Sequence, residues 1–278
     1  MSSPRINAFA FNQSIARYAS TTDVKPVQPD VKPHHQDDPN EDYLLMHPVY
    51  TQEYVNSVKP KHLPPVKWHQ KVGYRAIGLC RFLFDKATGY PRNMTEAKWL
   101  QRMIFLETVA GCPGMVAATL RHLKSLRSMK RDNGLIHTLL EEAENERMHL
   151  LTFLQLRQPS GFFRFAVILT QGLFYNAYFV IYLLSPKVAH SMVGYLEEEA
   201  VKTYTHALND IEKGNLWKDT NAPEIAVNYW RLGKNATMKD TILAIRADEA
   251  SHSHVNHTFS LLKPEEKNPF TKNSHQVP

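Results

Sequence analysis

Glu146 and His149 stand three apart within LEEAENERMHLL (residues 140–151), a stretch of helix formers with no Gly or Pro. Positions i and i+3 share a helix face, so this carboxylate and imidazole would converge on one point. A single E-x-x-H is a common surface pattern, but the chain holds a second, Glu249 and His252, in IRADEASH. Two such helices, with one Glu from each of two more, make the ligand set of a carboxylate-bridged two-metal site in a four-helix bundle. Glu and His together suit iron. The two cysteines, Cys80 and Cys112, form no C-x-x-C that would argue for a thiolate site.

The elements that must position these groups follow from the apolar pattern. Thr95 caps a long helix through residue 128, with a kink expected at 111–114 around Pro113. Glu107 sits in its most apolar part, MIFLETVA, where a carboxylate is costly unless it is paired or metal-bound. After a KRDNG turn, a helix over 135–157 carries Glu146 and His149. Glu142, one turn earlier on a similar face, is a rival ligand, whereas Glu141 and Glu144 read as solvent-facing. The helix predicted over 187–213 offers Glu197, Glu198 and Glu199, and adjacent residues diverge so widely that only one can point inward. Glu197 shares a face with Ala200 and Tyr204 and is the choice. Tyr204 would then be a redox-capable phenol or a core aromatic, and spacing alone favours the core aromatic. A capping-box start, Thr237 to Asp240, opens the last helix, which carries Asp248, Glu249 and His252 and ends near 262. His254 and His257 fall on its other faces. Glu107 precedes Glu146 by 39 residues and Glu197 precedes Glu249 by 52, room in each case for an antiparallel helix pair.

With 278 residues, 43% of them hydrophobic, and a negative mean hydropathy, the chain does not read as a polytopic membrane protein. The net charge of +6 suits an anionic lipid surface or nucleic acid, and charge alone does not choose. Residues 1–22 lack Asp and Glu, carry Arg5 and Arg17, and read as a mitochondrial transit peptide. Residues 23–65 read as an extended arm, 66–262 as the folded domain and 263–278 as a polar tail. Residues 68–85 form a basic, aromatic amphipathic helix that fits a membrane interface or an ordinary core face equally well. Residues 161–184, GFFRFAVILTQGLFYNAYFVIYLL, are long and apolar enough to span a bilayer. A single crossing there would put the two halves of the ligand set on opposite sides. The segment is therefore expected to lie in one leaflet, with Tyr175, Asn176, Tyr178 and Tyr182 as its interface side.

Four motifs carry a family resemblance: LET (106–108), NERMHL (145–150), LEEEA (196–200) and RADExxH (246–252). Together, over residues 66–262, the chain resembles the alternative oxidases of mitochondria. Cys112, where an aliphatic residue is commoner, and the run ASHSHVNH are its departures. The resemblance implies an all-α, ferritin-like four-helix bundle with a di-iron centre and two membrane-surface helices. It implies a homodimer lying on the matrix side of the mitochondrial inner membrane. The implied reaction oxidises ubiquinol and reduces O2 to water, insensitive to cyanide and without pumping protons, and nucleic acid is not an expected partner. Carried over by position, the ligands of two iron ions fall on Glu107, Glu146, His149, Glu197, Glu249 and His252, and the catalytic tyrosine on Tyr204. Outer-shell bonds fall on Asn145, Trp230 and Asp248, and the quinol pocket on Arg102, Leu106, Leu196, Glu199, Ala200 and Thr203. The competing readings are another membrane quinone di-iron enzyme, such as a plastoquinol oxidase or quinone-ring hydroxylase, and a ferritin-like iron-binding protein.

Overall fold

The structure, a computed structural model, describes residues 49–270 apart from 215, 219, 264 and 265. The expected transit peptide, most of the arm and the end of the tail lie outside the described residues.

The described residues are all-helical: α1 (Gln52–Ser57), α2 (Trp68–Thr88), α3 (Glu96–Ser128), α4 (Leu135–Leu156), α5 (Gly161–Leu184), α6 (Pro186–Glu212), α7 (Glu224–Tyr229) and α8 (Met238–Phe259). Their ends follow local chemistry. Thr95 accepts a hydrogen bond from the Lys98 amide to start α3, and Thr237 and Asp240 close a capping box on α8. Ser185 caps α6, with Pro186 at its first position, where a missing N–H costs nothing. Helix α3 runs unbroken through Pro113.

The bundle is two tight pairs, α3 with α4 and α6 with α8, and α2 and α5 lie against its outside. Glycine sets the first approach: a Cβ on Gly114 would stand 2.6 Å from the Leu139 carbonyl oxygen. Gly194 does the same for the second pair, where a Cβ would lie 2.6 Å from Nδ1 of His257. Between the pairs the core has two apolar halves. One gathers Met103, Ile104, Phe153, Tyr204 and Ile245, the other Val116, Leu139, Val193, Val255 and Phe259. The expected ligands lie on the helix stretches between these halves, so apolar side chains close the site from both ends.

Expectations for the arm and for α5 change. The arm is regular before residue 65: Gln52–Ser57 is helical, with Val55 and Val58 buried against the first core half. Six residues without a strong period gave no helical signal; docking on α8 stabilises them. The tail also docks at its start, where buried Asn268 donates to Thr138 Oγ1 at 2.7 Å. On α5, Tyr178 and Tyr182 face the protein core rather than an interface, while Tyr175 is part-exposed. Tertiary packing, invisible to periodicity, turned that face inward.

Candidate metal centre

Glu107 from α3, Glu146 and His149 from α4, and Glu249 from α8 each offer a ligand atom within 4.8 Å of the others, and all four are buried. Nδ1 of His149 lies 3.4 Å from both Glu107 Oε2 and Glu146 Oε2, and 3.5 Å from Glu249 Oε1. His252 joins them through Nδ1, 2.8 Å from Glu146 Oε1. Glu197 is buried beside Glu249 and Glu146. All six expected ligands are thus in one polar layer, with Glu197 and His252 outside the tightest group.

The unsatisfied atoms of the donor set match what a metal would take. Glu107 Oε2, Glu146 Oε2, His149 Nδ1 and Glu249 Oε2 are buried without a hydrogen-bond partner. Each would cost about 1–3 kcal/mol if it stayed so. Carboxylate oxygens and an imidazole nitrogen are the donors iron takes, and they fit it.

Electrostatics agree with a site built for cations. Burial pushes Glu107, Glu197 and Glu249 above the usual carboxylate range, and the neighbouring carboxylates add to it. Burial also opposes the charge of Glu146, but His149 and His252 beside it hold its carboxyl well below that range. For His252 burial works against protonation, yet the bond to Glu146 lifts the imidazole to about 9. A metal must displace such protons, so binding would release them.

Asp248 orients His149. Its Oδ2 lies 3.1 Å from His149 Nε2 and accepts from Trp230 Nε1 at 2.7 Å and Asn145 Nδ2 at 3.1 Å. With Nε2 donating outward, the lone pair on Nδ1 points into the cluster, which is the tautomer a ligand needs. Burial opposes the Asp248 charge, but the His149 bond holds its carboxyl low. Two phenols complete the network and have no local sequence signal. Tyr50, 198 residues away, donates to Asp248 Oδ1 at 2.8 Å, and Tyr229 accepts from Asn145 at 3.0 Å.

Tyr204 is buried and donates to Glu107 Oε1. Glu142, the rival ligand, is turned away: Asn256 Nδ2 donates to both its oxygens, at 3.1 and 2.9 Å. Its carboxyl is pushed up to about 7 by burial. Glu198 is spoken for as well, by the Leu63 amide, His62 and His257.

The expected quinol-pocket residues line the seam of α3 and α6, closed by α2. Arg102 is buried, pairs with Asp85 at 2.5 Å and lies over the Tyr90 ring, 3.9 Å from its centroid. Glu199 is held by Arg81 at 3.1 Å and Lys202 at 2.6 Å, and Thr203 donates to its carbonyl. Leu106, Leu196 and Ala200 are half-buried. Sequence reasoning missed Arg81, Asp85 and Tyr90; an i, i+4 Arg81–Asp85 pair on a helix is a surface commonplace until Arg102 joins it.

The profile of the alternative oxidase family matches residues 50–261. The chain belongs to the alternative oxidase family. Among its relatives is the mitochondrial alternative oxidase of Emericella nidulans, 51% identical over 239 residues, 81% of this chain and 68% of that one. That of Aspergillus niger is 52% identical over 231 residues, covering 78% and 66%. That of Cryptococcus neoformans var. grubii is 44% identical over 274 residues, covering 86% and 68%. The chain spans about two thirds of the length of these relatives. The alternative oxidase match starts at residue 50, so it takes in α1 and the Tyr50 that bonds Asp248.

Proposed function

We propose that this alternative oxidase is a cyanide-insensitive ubiquinol oxidase that reduces O2 to water at a non-haem di-iron centre without pumping protons. The observation that carries it is the ring of buried, unpartnered ligand atoms contributed by Glu107, Glu146, His149 and Glu249. Glu197 and His252 complete the set of six. Iron held there would supply the redox chemistry, taking electrons from the quinol and giving them to O2.

The chain's own groups do the rest. The two apolar core halves exclude water from the centre. Asp248, with Asn145 and Trp230, fixes His149 in its ligating tautomer. Tyr204 holds its phenolic proton on Glu107 Oε1, a redox-active side chain in contact with a ligand carboxylate. Arg102, fixed by Asp85, offers donors to a quinol oxygen in the seam that Leu106, Leu196, Glu199, Ala200 and Thr203 line.

The proposed setting is the mitochondrion, as in the relatives' names, on the matrix face of the inner membrane. Helix α5 supports a one-leaflet anchor, for Phe162, Leu173 and Leu184 are 83%, 76% and 81% exposed. Helix α2 adds exposed Trp68, Leu79, Phe82 and Leu83. A bond between His252 and Glu146 requires helices before and after α5 to share one side of a membrane. A homodimer is proposed too, and the exposed Met115, Leu123 and Leu126 of α3 offer an apolar strip for it.

Cyanide-resistant, quinol-dependent O2 uptake in a haem-deficient host tests the reading, with iron measured on the purified chain. Two irons per chain with quinol oxidation is the expected result. Iron uptake with no quinol oxidation would return the ferritin-like alternative, and preference for plastoquinol would return the other quinone enzymes.

A further inference from the structure

Oxidising a quinol frees two protons along with two electrons, and the electrons must travel toward Glu107 and Glu197. The charged groups around the seam are already paired with one another. Arg102 stays protonated, the Asp85 carboxylate is shared between Arg81 and Arg102 at 2.5 Å each, and Glu199 is held by Arg81 and Lys202. Farther from the centre, His206 follows Thr203 on the same face of α6, nine residues or roughly 13 Å along the axis from Glu197. There the Tyr90 hydroxyl and His206 Nδ1 are 2.8 Å apart. Nε2 of His206 faces Asp210 Oδ2 at 3.7 Å, and Trp99 Nε1 donates to that same oxygen at 3.3 Å. The Tyr90 ring has the Arg102 guanidinium over it, and the His206 side chain is 32% exposed. A phenol beside the seam thus meets an imidazole, and that imidazole, next to a carboxylate, reaches solvent.

We infer that Tyr90 and His206 carry the quinol's protons out of the bundle, with Asp210 positioning the imidazole. The inference rests on the quinol-oxidase reading above. In each transfer Tyr90 passes its hydroxyl proton to His206 Nδ1 and its oxygen takes the proton leaving the quinol oxygen. The resulting imidazolium loses the Nε2 proton to water beside Asp210, and reorientation of the part-exposed ring turns the bared nitrogen to Tyr90 before the second proton follows, while the electrons go separately to the metal centre. The relay needs His206 neutral. The groups that face it are Tyr90 and Asp210, with Lys213 at the far oxygen of Asp210, and across the Tyr90 ring Arg81, Asp85 and Arg102.

The test is anaerobic reduction of the oxidised holoenzyme by quinol, followed against pH in wild type, His206→Ala and Tyr90→Phe. Wild type should slow on the acid side. His206→Ala should lose that acid limb and run at least about tenfold slower, the lower edge of what a positioned proton acceptor contributes. Its quinone affinity should stay within about twofold, and added imidazole should restore its rate. Tyr90→Phe should be slow and not respond to imidazole. A His206→Ala enzyme as fast as wild type, or one that is slow, keeps the acid limb and ignores imidazole, overturns the relay. If wild type itself oxidises no quinol, the quinol-oxidase reading fails and takes the relay with it.

Discussion

At the scale of single residues, the proposed centre separates groups that would hold a metal from groups that would act beside it. Glu146 touches both His149 and His252, so Glu146→Ala should strip most iron from the purified chain and abolish O2 uptake. Tyr204→Phe removes only the hydroxyl on Glu107, so iron content should stay while O2 uptake falls by at least about a hundredfold. Iron analysis beside respirometry separates the two; full activity in either variant would sink the site assignment. Asp248→Asn weakens the partner that fixes His149, and iron affinity should drop roughly 10–100-fold. These roles were partly legible in the sequence. The E-x-x-H spacing puts a carboxylate and an imidazole on one face whatever the tertiary fold. Glu142 was not legible, because only Asn256, from another helix, decides that it turns away.

At the scale of helices, close approach and buried polar links set stability. Gly114→Ala forces a Cβ onto the Leu139 carbonyl and should cost about 1–3 kcal/mol, read as a lower unfolding midpoint. Gly111→Ala meets nothing nearer than 3.6 Å and should be neutral or mildly stabilising, so equal losses in the two variants would contradict the packing argument. His190 lies between Tyr182 and Asn256, and burial lowers its imidazole from the ordinary 6.5 to about 4. A histidine held neutral in the fold, and free to charge when unfolded, stabilises fully above about pH 6.5. That contribution fades as pH falls from there toward 4, by about 2 kcal/mol between pH 7 and pH 5. Denaturant titrations at the two pH values should show this loss in wild type and a smaller one in His190→Gln.

At the scale of the whole molecule, two helices pass a length-and-hydropathy test for membrane spans, α3 and α5, and they end differently. Half of the apolar window of α3 is buried, and the helix delivers Glu107 to the centre; only 11% of that of α5 is buried. If α5 lies in one leaflet, Leu169→Glu with Leu173→Glu should release the protein from vesicles of anionic lipid and leave its iron content unchanged. Unchanged vesicle binding would remove α5 as the anchor.

The sequence by itself determined the helical class, the approximate bounds of the six long helices and the two E-x-x-H pairs. Each rests on short-range rules: capping within a turn, periodicity within a helix, and spacing that fixes which side chains share a face. Tertiary structure alone decided the remainder. It placed Tyr50 on Asp248, turned Tyr178 and Tyr182 inward, gave Glu142 to Asn256, and set Arg81, Asp85, Tyr90 and His206 around the seam at Arg102. The longest of those contacts, Tyr50 with Asp248, Tyr90 with His206 and Glu142 with Asn256, join residues 198, 116 and 114 positions apart, and no local pattern encodes which distant partner a buried polar group will find once the helices pack.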